Sequence, residues 1–145
     1  MQEQEKLRQG ACHCGAVQFQ VLLKDGLAGA RRCSCSYCSM RGAVTLTARR
    51  SDFETLQGES ELSLYQFHTH MAHHYFCRIC GIYTHHQRRS DPSLYGVNAA
   101  CIKGVSPFDF AEVPVVDGIS HPSDTGGPAR LSGVLRFEPL LSGRK

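Results

Sequence analysis

The chain has 145 residues, a formal net charge of +3 and eight cysteines, a length that suits one domain whose core does not need metal merely to exist. The mild positive charge favours anionic small molecules; without a clustered basic patch it argues against nucleic acid. The polar start Met1–Gly10 leads into no apolar stretch, and no run nears the roughly 20 apolar residues of a membrane helix, so a soluble, cytoplasmic protein with no membrane partner is expected.

In chain order, Cys12-His13-Cys14-Gly15 comes first. Ala16–Leu22 follows as a predicted strand, with Val17, Phe19 and Val21 on one face. A dense cluster, Cys33-Ser34-Cys35-Ser36-Tyr37-Cys38, precedes a second β-rich run at Ala43–Thr47. Ser51 and Glu54 have the spacing of a capping box and predict a helical turn over Asp52–Leu56, ended by Gly58. Leu62–Phe67 and Leu94–Asn98 are further predicted strands. Between them lie the third cluster, Cys77-Arg78-Ile79-Cys80-Gly81, and a polar run from His85 to Pro92. Val113–Gly133 is rich in Pro, Gly, Ser and Asp and predicts a long loop, with Val134–Phe137 as a last strand. No long helical period occurs, so the fold class is mainly β with short helical turns.

Close spacing decides the chemistry of the cysteines. Two cysteines separated by one or two residues rarely form a relaxed disulfide, yet they chelate a tetrahedral ion well, and reducing cytosol leaves them free to do so. Cys12, Cys14, Cys77 and Cys80 together offer four thiolates, the number that closes a structural zinc site. Cys33, Cys35 and Cys38 offer three, which leaves one tetrahedral position open, as in catalytic zinc sites. Two other readings stay open at this point. Cys101 or a histidine supplies a fourth ligand and makes the site inert, or a Cys-x-x-Cys pair (Cys35 and Cys38, or Cys77 and Cys80) is a redox centre. A lone Cys101 is more often a small buried apolar residue.

His68, His70, His73, His74, His85 and His86 crowd around the third cluster. His74, three residues before Cys77, is expected near the metal-bearing turn. Of His85 and His86, adjacent on the chain, at most one faces a given site. Arg88 and Arg89 are candidates for a carboxylate. Arg31, Arg32 and Arg41 flank the three-cysteine cluster and offset its negative charge; Arg41 is also a candidate for a carboxylate. Tyr37 or a histidine is the candidate for moving a proton.

Gly-Ala-Cys-His-Cys-Gly-Ala-Val-x-Phe at Gly10–Phe19, Cys-Ser-Cys-Ser-Tyr-Cys at Cys33–Cys38 and Tyr-Phe-Cys-Arg-Ile-Cys-Gly at Tyr75–Gly81 resemble the glutathione-dependent formaldehyde-activating enzyme family, whose domain centromere protein V also carries. Three linked motifs in order, from about Gly10 to Cys101, make the resemblance specific. It implies a β-tent fold of small antiparallel sheets stapled by zinc. The ligand sets it implies are Cys12, Cys14, Cys77 and Cys80 for a structural zinc and Cys33, Cys35 and Cys38 for a second, catalytic zinc, two per chain. The implied organisation is a single domain over 1–145, with a core at about 10–101 and a loop-rich C-terminal extension over 103–145. The implied reaction joins glutathione and formaldehyde as S-hydroxymethylglutathione, a carbon–sulfur lyase reaction in reverse. A non-catalytic interaction module with two structural zinc sites is the alternative function, and a nucleic-acid-binding zinc ribbon is disfavoured by scattered charge.

Overall fold

The alternation at Ala16–Leu22 becomes a strand in the computed structural model, which describes residues 6–140. Of the single domain expected over 1–145, residues 1–5 and 141–145 lie outside the described residues. That strand, β2 (Gln18–Leu23), buries Phe19, Val21 and Leu23. It pairs antiparallel with β1 (Leu7–Ala11) on one side and with β4 (Thr45–Gln57) on the other. Between them in the chain lie β3 (Arg32–Cys33) and a short helix, α1 (Ser36–Arg41). β5 (Leu62–Tyr65), β6 (His73–Cys77), β7 (Tyr83–Gln87) and β8 (Leu94–Asn98) follow as an antiparallel series. The result is a seven-stranded sheet of order β1-β2-β4-β8-β7-β6-β5. As its patterning predicts, the protein is mainly β with short helices.

β4 serves two wings. Its first part, Thr45–Arg49, pairs with β8, and its later part, out to Gln57, pairs with β2; the two pairings meet at Ala48, beside a register break in β2. The expected helical turn at Asp52–Leu56 is therefore a correction: these residues continue β4. The capping-box spacing is real, but Phe53 stacks on the buried Phe19 ring at 4.8 Å, and burying two aromatic rings outweighs a local helical preference. Gly58 does end the segment, in a left-handed conformation with φ of 79°. A side chain there would strike the carbonyl of Ala16.

A second correction concerns the run from His85. His85, His86 and Gln87 are strand residues in β7, and His85 is 4% exposed. Val113–Gly133 is likewise more than a loop. It holds most of β9 (Glu112–Val116), a helical turn α2 (Pro122–Thr125) and the start of β10 (Leu131–Arg136). These build a second sheet of order β10-β9-β3, in which β3 and β9 run parallel. Pro114 sits in its central strand without harm, because β3 pairs only with Val115 and Val116 and asks nothing of position 114. No helix among the described residues is long and apolar enough to cross a membrane.

The main core lies where the wings meet, around Phe19, Leu23, Leu46, Val97 and Ile102. A smaller cluster holds Cys12, Val17 and Cys77, with Ala16 and Leu62 against it. This second cluster shows how far the large sheet bends. β1 and β6 are five strand steps apart in the sheet order, about 24 Å if it were flat. Yet the sulfurs of Cys12 and Cys77, at the ends of those strands, lie within 4.8 Å.

Candidate metal centres

Two turns of similar construction carry the four-cysteine group. After β1, Gly15 donates its N–H to the carbonyl of Cys12 at 3.1 Å; after β6, Gly81 donates to Cys77 at 2.7 Å. Both glycines have φ near 80° (81° and 79°), a conformation only glycine adopts without cost, and it turns each chain back around its sulfurs. The N–H groups of Val17 and Ile79 point at the sulfurs of Cys12 and Cys77 at 3.3 and 3.4 Å. Such donors stabilise thiolates. Cys12 and Cys77 are buried, Cys14 is exposed and Cys80 half-buried.

The donors fit a metal ion. All four sulfurs lie within 4.8 Å of one another; Cys14 is 3.7 Å from Cys12 and 3.8 Å from Cys77. Tetrahedral ligation with zinc–sulfur bonds of about 2.3 Å requires sulfurs about 3.8 Å apart.

The three-cysteine group is assembled from β3 and α1. Cys33 ends β3, Cys35 caps the N-terminus of α1 by accepting the Cys38 N–H at 3.3 Å, and Cys38 lies one turn along. Cys35 donates its own N–H to the Cys33 sulfur at 3.4 Å. The three sulfurs also lie within 4.8 Å of one another, and no further Cys, His, Asp or Glu among the described residues joins them. Shared hydrogen bonds from Cys33, then Cys38, pull the Cys35 thiol strongly down, while the same sharing, followed by burial, pushes Cys38 up. Three thiols sharing protons in this way can hold a thiophilic cation in the protons' place. Cys101 belongs to neither group: it is 7% exposed, with its thiol directed at the Tyr83 carbonyl at 3.5 Å.

Arg41 is the hub beside this group. Its guanidinium donates to the Cys38 sulfur at 3.3 Å and to Nδ1 of His74 at 3.1 Å. It also lies over the Tyr83 ring at 3.7 Å and the Tyr37 ring at 4.8 Å, so two aromatic faces support the charge. Because arginine only donates, His74 accepts through Nδ1 and carries its proton on Nε2. Burial, then Arg41, lower the His74 pKa to about 4. The sequence reading put His74 near Cys77; residues three apart on a strand face opposite sides, and the ring instead meets the other cysteine group through Arg41.

A cleft of about 560 Å³ opens beside the three sulfurs. His74 and His86 line it, whereas His85 turns away and packs against Phe53 and Tyr75. His86 stacks on His74 at 5.2 Å and fits only because residue 96 is glycine, where a Cβ would lie 2.3 Å from the ring. Arg31, Arg32, Arg88 and Arg89 also reach the cleft; Tyr37 is absent from its lining. The β5–β6 turn contributes His68, held with φ of 56°. Its near neighbour His70, outside the lining, has φ of 60°, so two non-glycine residues of this turn bear left-handed strain.

Sequence reasoning missed the remaining wall. Asp117, Gly118, His121 and Asp124 line the cleft from the segment expected to be a loop. Gly118 donates its N–H to the Ser34 hydroxyl at 3.0 Å. A Cβ there would come within 2.5 Å of the Cys33 sulfur. Arg89 pairs with Asp124 through both terminal nitrogens and ties this wall to the end of β7. Gly118 is one of several glycines in the segment, and nothing in the chain marks it as the one that approaches a sulfur.

The chain is similar to known proteins. A family model described as "Glutathione-dependent formaldehyde-activating enzyme" matches residues 7–112, from the first residue of β1 to the first of β9. A crystal structure of a Rhodobacter sphaeroides protein is similar at 58% identity and a TM-score of 0.73, over 74% of this chain and 98% of the other.

Proposed function

The chain belongs to the glutathione-dependent formaldehyde-activating enzyme family, and on that premise we propose that it joins a thiol to an aldehyde carbon beside Cys33, Cys35 and Cys38. The observation that carries this reading is the three-sulfur group, open on a cleft and without a fourth side-chain donor among the described residues. The proposed substrates are glutathione and formaldehyde, and the product is S-hydroxymethylglutathione. The sulfur–carbon bond forms as the carbonyl π bond breaks, and the thiol proton passes to the former carbonyl oxygen. The reverse elimination makes it a carbon–sulfur lyase.

The proposed cofactor is zinc at two sites, on Cys12, Cys14, Cys77 and Cys80 for structure and on Cys33, Cys35 and Cys38 for the reaction. When bound at the second site, zinc supplies a Lewis acid that lowers the pKa of a thiol and polarises a carbonyl. The protein's own residues do the rest. Arg41 offsets the negative charge of three thiolates and, held between two tyrosine rings, keeps a fixed position against Cys38. His74 stays neutral near pH 7 and lines the cleft; with Nδ1 already accepting from Arg41, its proposed role is to donate a hydrogen bond through Nε2 to the carbonyl oxygen, while the proton itself is exchanged through solvent. The 117–124 wall limits the entry of water. The proposed setting is the cytoplasm, where reducing conditions keep the thiols free, and the proposed working unit is one domain.

Zinc stoichiometry with and without glutathione, followed by an NMR assay of glutathione and ¹³C-formaldehyde, tests the reading. Two zincs, one perturbed by glutathione, and protein-accelerated adduct formation are expected. Cys35→Ser should remove one zinc and the acceleration while the second zinc stays bound. Two zincs that ignore glutathione, with no acceleration, would instead favour an interaction module.

A further inference from the structure

The cations of the cleft are unevenly matched. Arg41 serves Cys38 and His74, and Arg89 serves Asp124. Arg88 is only 7% exposed, yet among the described residues its one side-chain hydrogen bond goes to the neutral Thr47 hydroxyl, at 2.6 Å. Asp91 exerts the weakest of the electrostatic influences on it, and Arg31, a second cation, exerts a stronger and opposing one. Arg31 is half-buried and forms no ion pair with any described carboxylate. Two guanidinium groups thus line one cleft, and neither forms an ion pair with a described carboxylate. Burial lowers the Arg31 pKa, and burial followed by Arg31 brings Arg88 down to about 10. Both remain charged at neutral pH.

A buried cation beside a like charge is costly unless an anion joins it. The same cleft surface brings Arg31 within electrostatic reach of Cys33 and Cys38, so an anion here would sit beside the reacting sulfur group. Arginine's planar fork suits a carboxylate through paired N–H···O bonds. We propose that Arg88 and Arg31 form a carboxylate subsite that anchors one of the two reactants next to the three-cysteine group.

This rests on the reading of the cleft as a thiol–aldehyde site and narrows it: one reactant is an acid. The carboxylate belongs either to the thiol, as in glutathione, or to the carbonyl compound, as in a 2-oxo acid such as glyoxylate. The neutral Thr47 hydroxyl fixes the orientation of the Arg88 fork and leaves its other N–H groups for the ligand.

Calorimetric titration of the zinc-loaded protein with S-methylglutathione, which has carboxylates but no thiol, and separately with glyoxylate, tests this. Wild type should bind at least one. Arg88→Gln and Arg31→Gln should each weaken that binding about ten- to a hundredfold with zinc content unchanged. Arg31, the more exposed of the two, covers the case in which Arg88→Gln fails to fold. Weakening confined to S-methylglutathione assigns the carboxylate to the thiol, and weakening confined to glyoxylate assigns it to the carbonyl partner. If neither compound binds wild type, or the folded variants bind as wild type does, the subsite is refuted. The underlying reaction is tested apart from this, with cysteamine, a thiol without a carboxylate. Acceleration with cysteamine that equals that with glutathione and survives both substitutions leaves the reaction standing and removes the subsite. Carboxylate binding that depends on both arginines, without acceleration for any thiol, does the opposite.

Discussion

The two cysteine groups use the same donor atom for opposite ends. In the four-cysteine group, two sulfurs are buried against Val17, Ala16 and Leu62, and the ligand count closes on itself. In the three-cysteine group every cysteine is half-buried, and the surroundings are arginine, histidine and a cleft. Their reach along the chain differs as much. Cys14 and Cys77 are 63 positions apart, so linking them removes roughly 4 kcal/mol of loop entropy from the unfolded chain. Cys33 to Cys38 spans five positions, for roughly 1.4 kcal/mol by the same relation. One group organises the fold, and the other is organised by it.

The largest expected effect therefore lies at the first group. Cys77→Ser should destabilise the protein by on the order of 5 kcal/mol or more, read as loss of the cooperative denaturant transition by circular dichroism. A stable, fully folded Cys77→Ser protein would erase the distinction between the groups. Graded chelation should sharpen it. The accessible group should release its metal first with the circular dichroism spectrum intact, and the second release should coincide with unfolding. Simultaneous release of both metals would contradict this.

A smaller effect is expected at Gly118, where the later wall meets the second group. Gly118→Ala should cost about 1–3 kcal/mol from overpacking against Cys33 and Cys35 and should weaken metal retention at the three-cysteine group alone. Gly133→Ala, where an added Cβ meets nothing within 4 Å, is the control and should leave both properties unchanged. Equal behaviour of the two variants in thermal melts would remove Gly118 from the wall.

The last effect is felt only on acidification and comes from a buried imidazole in the wing between the groups. Burial lowers the His85 pKa to about 3, below the unfolded value of about 6.5. The unfolded chain thus binds the extra proton first. The contribution of His85 is fully present above pH 6.5 and is lost as pH falls towards 3, at about 1.4 kcal/mol per pH unit. His85→Gln should flatten the acid limb of a denaturant-midpoint profile between pH 6 and 4 by about that slope. An unchanged slope would mean that the imidazole is hydrated in the folded protein.

Much of this comparison was legible in the chain. The spacings of Cys12, Cys14, Cys77 and Cys80 and of Cys33, Cys35 and Cys38 point to the sets that the structure gathers, and alternation found β2. β6 and β7 were harder, because His74, His85 and His86 read as polar while their rings stack in the interior as neutral groups. At Asp52–Leu56 a local cap signal competed with the stacking of Phe53 on Phe19, a contact across 34 positions that no short window contains. β9 was hidden by Pro114, whose missing N–H matters only where a partner strand asks for it. The 117–124 wall was not legible at all, since its role depends on a parallel pairing of β9 with β3 and not on any motif of its own.

That parallel pairing has a consequence for biosynthesis. Gly118 follows Cys38 by 80 positions, so at the roughly 5–20 residues per second of translation the three thiols leave the ribosome roughly 4–16 s before the wall that covers them. Over that interval the nascent chain presents Cys33, Cys35 and Cys38 openly to metal donors and to oxidants alike. Metal supply and oxidation therefore compete for these thiols before the wall exists, and again afterwards through the open cleft.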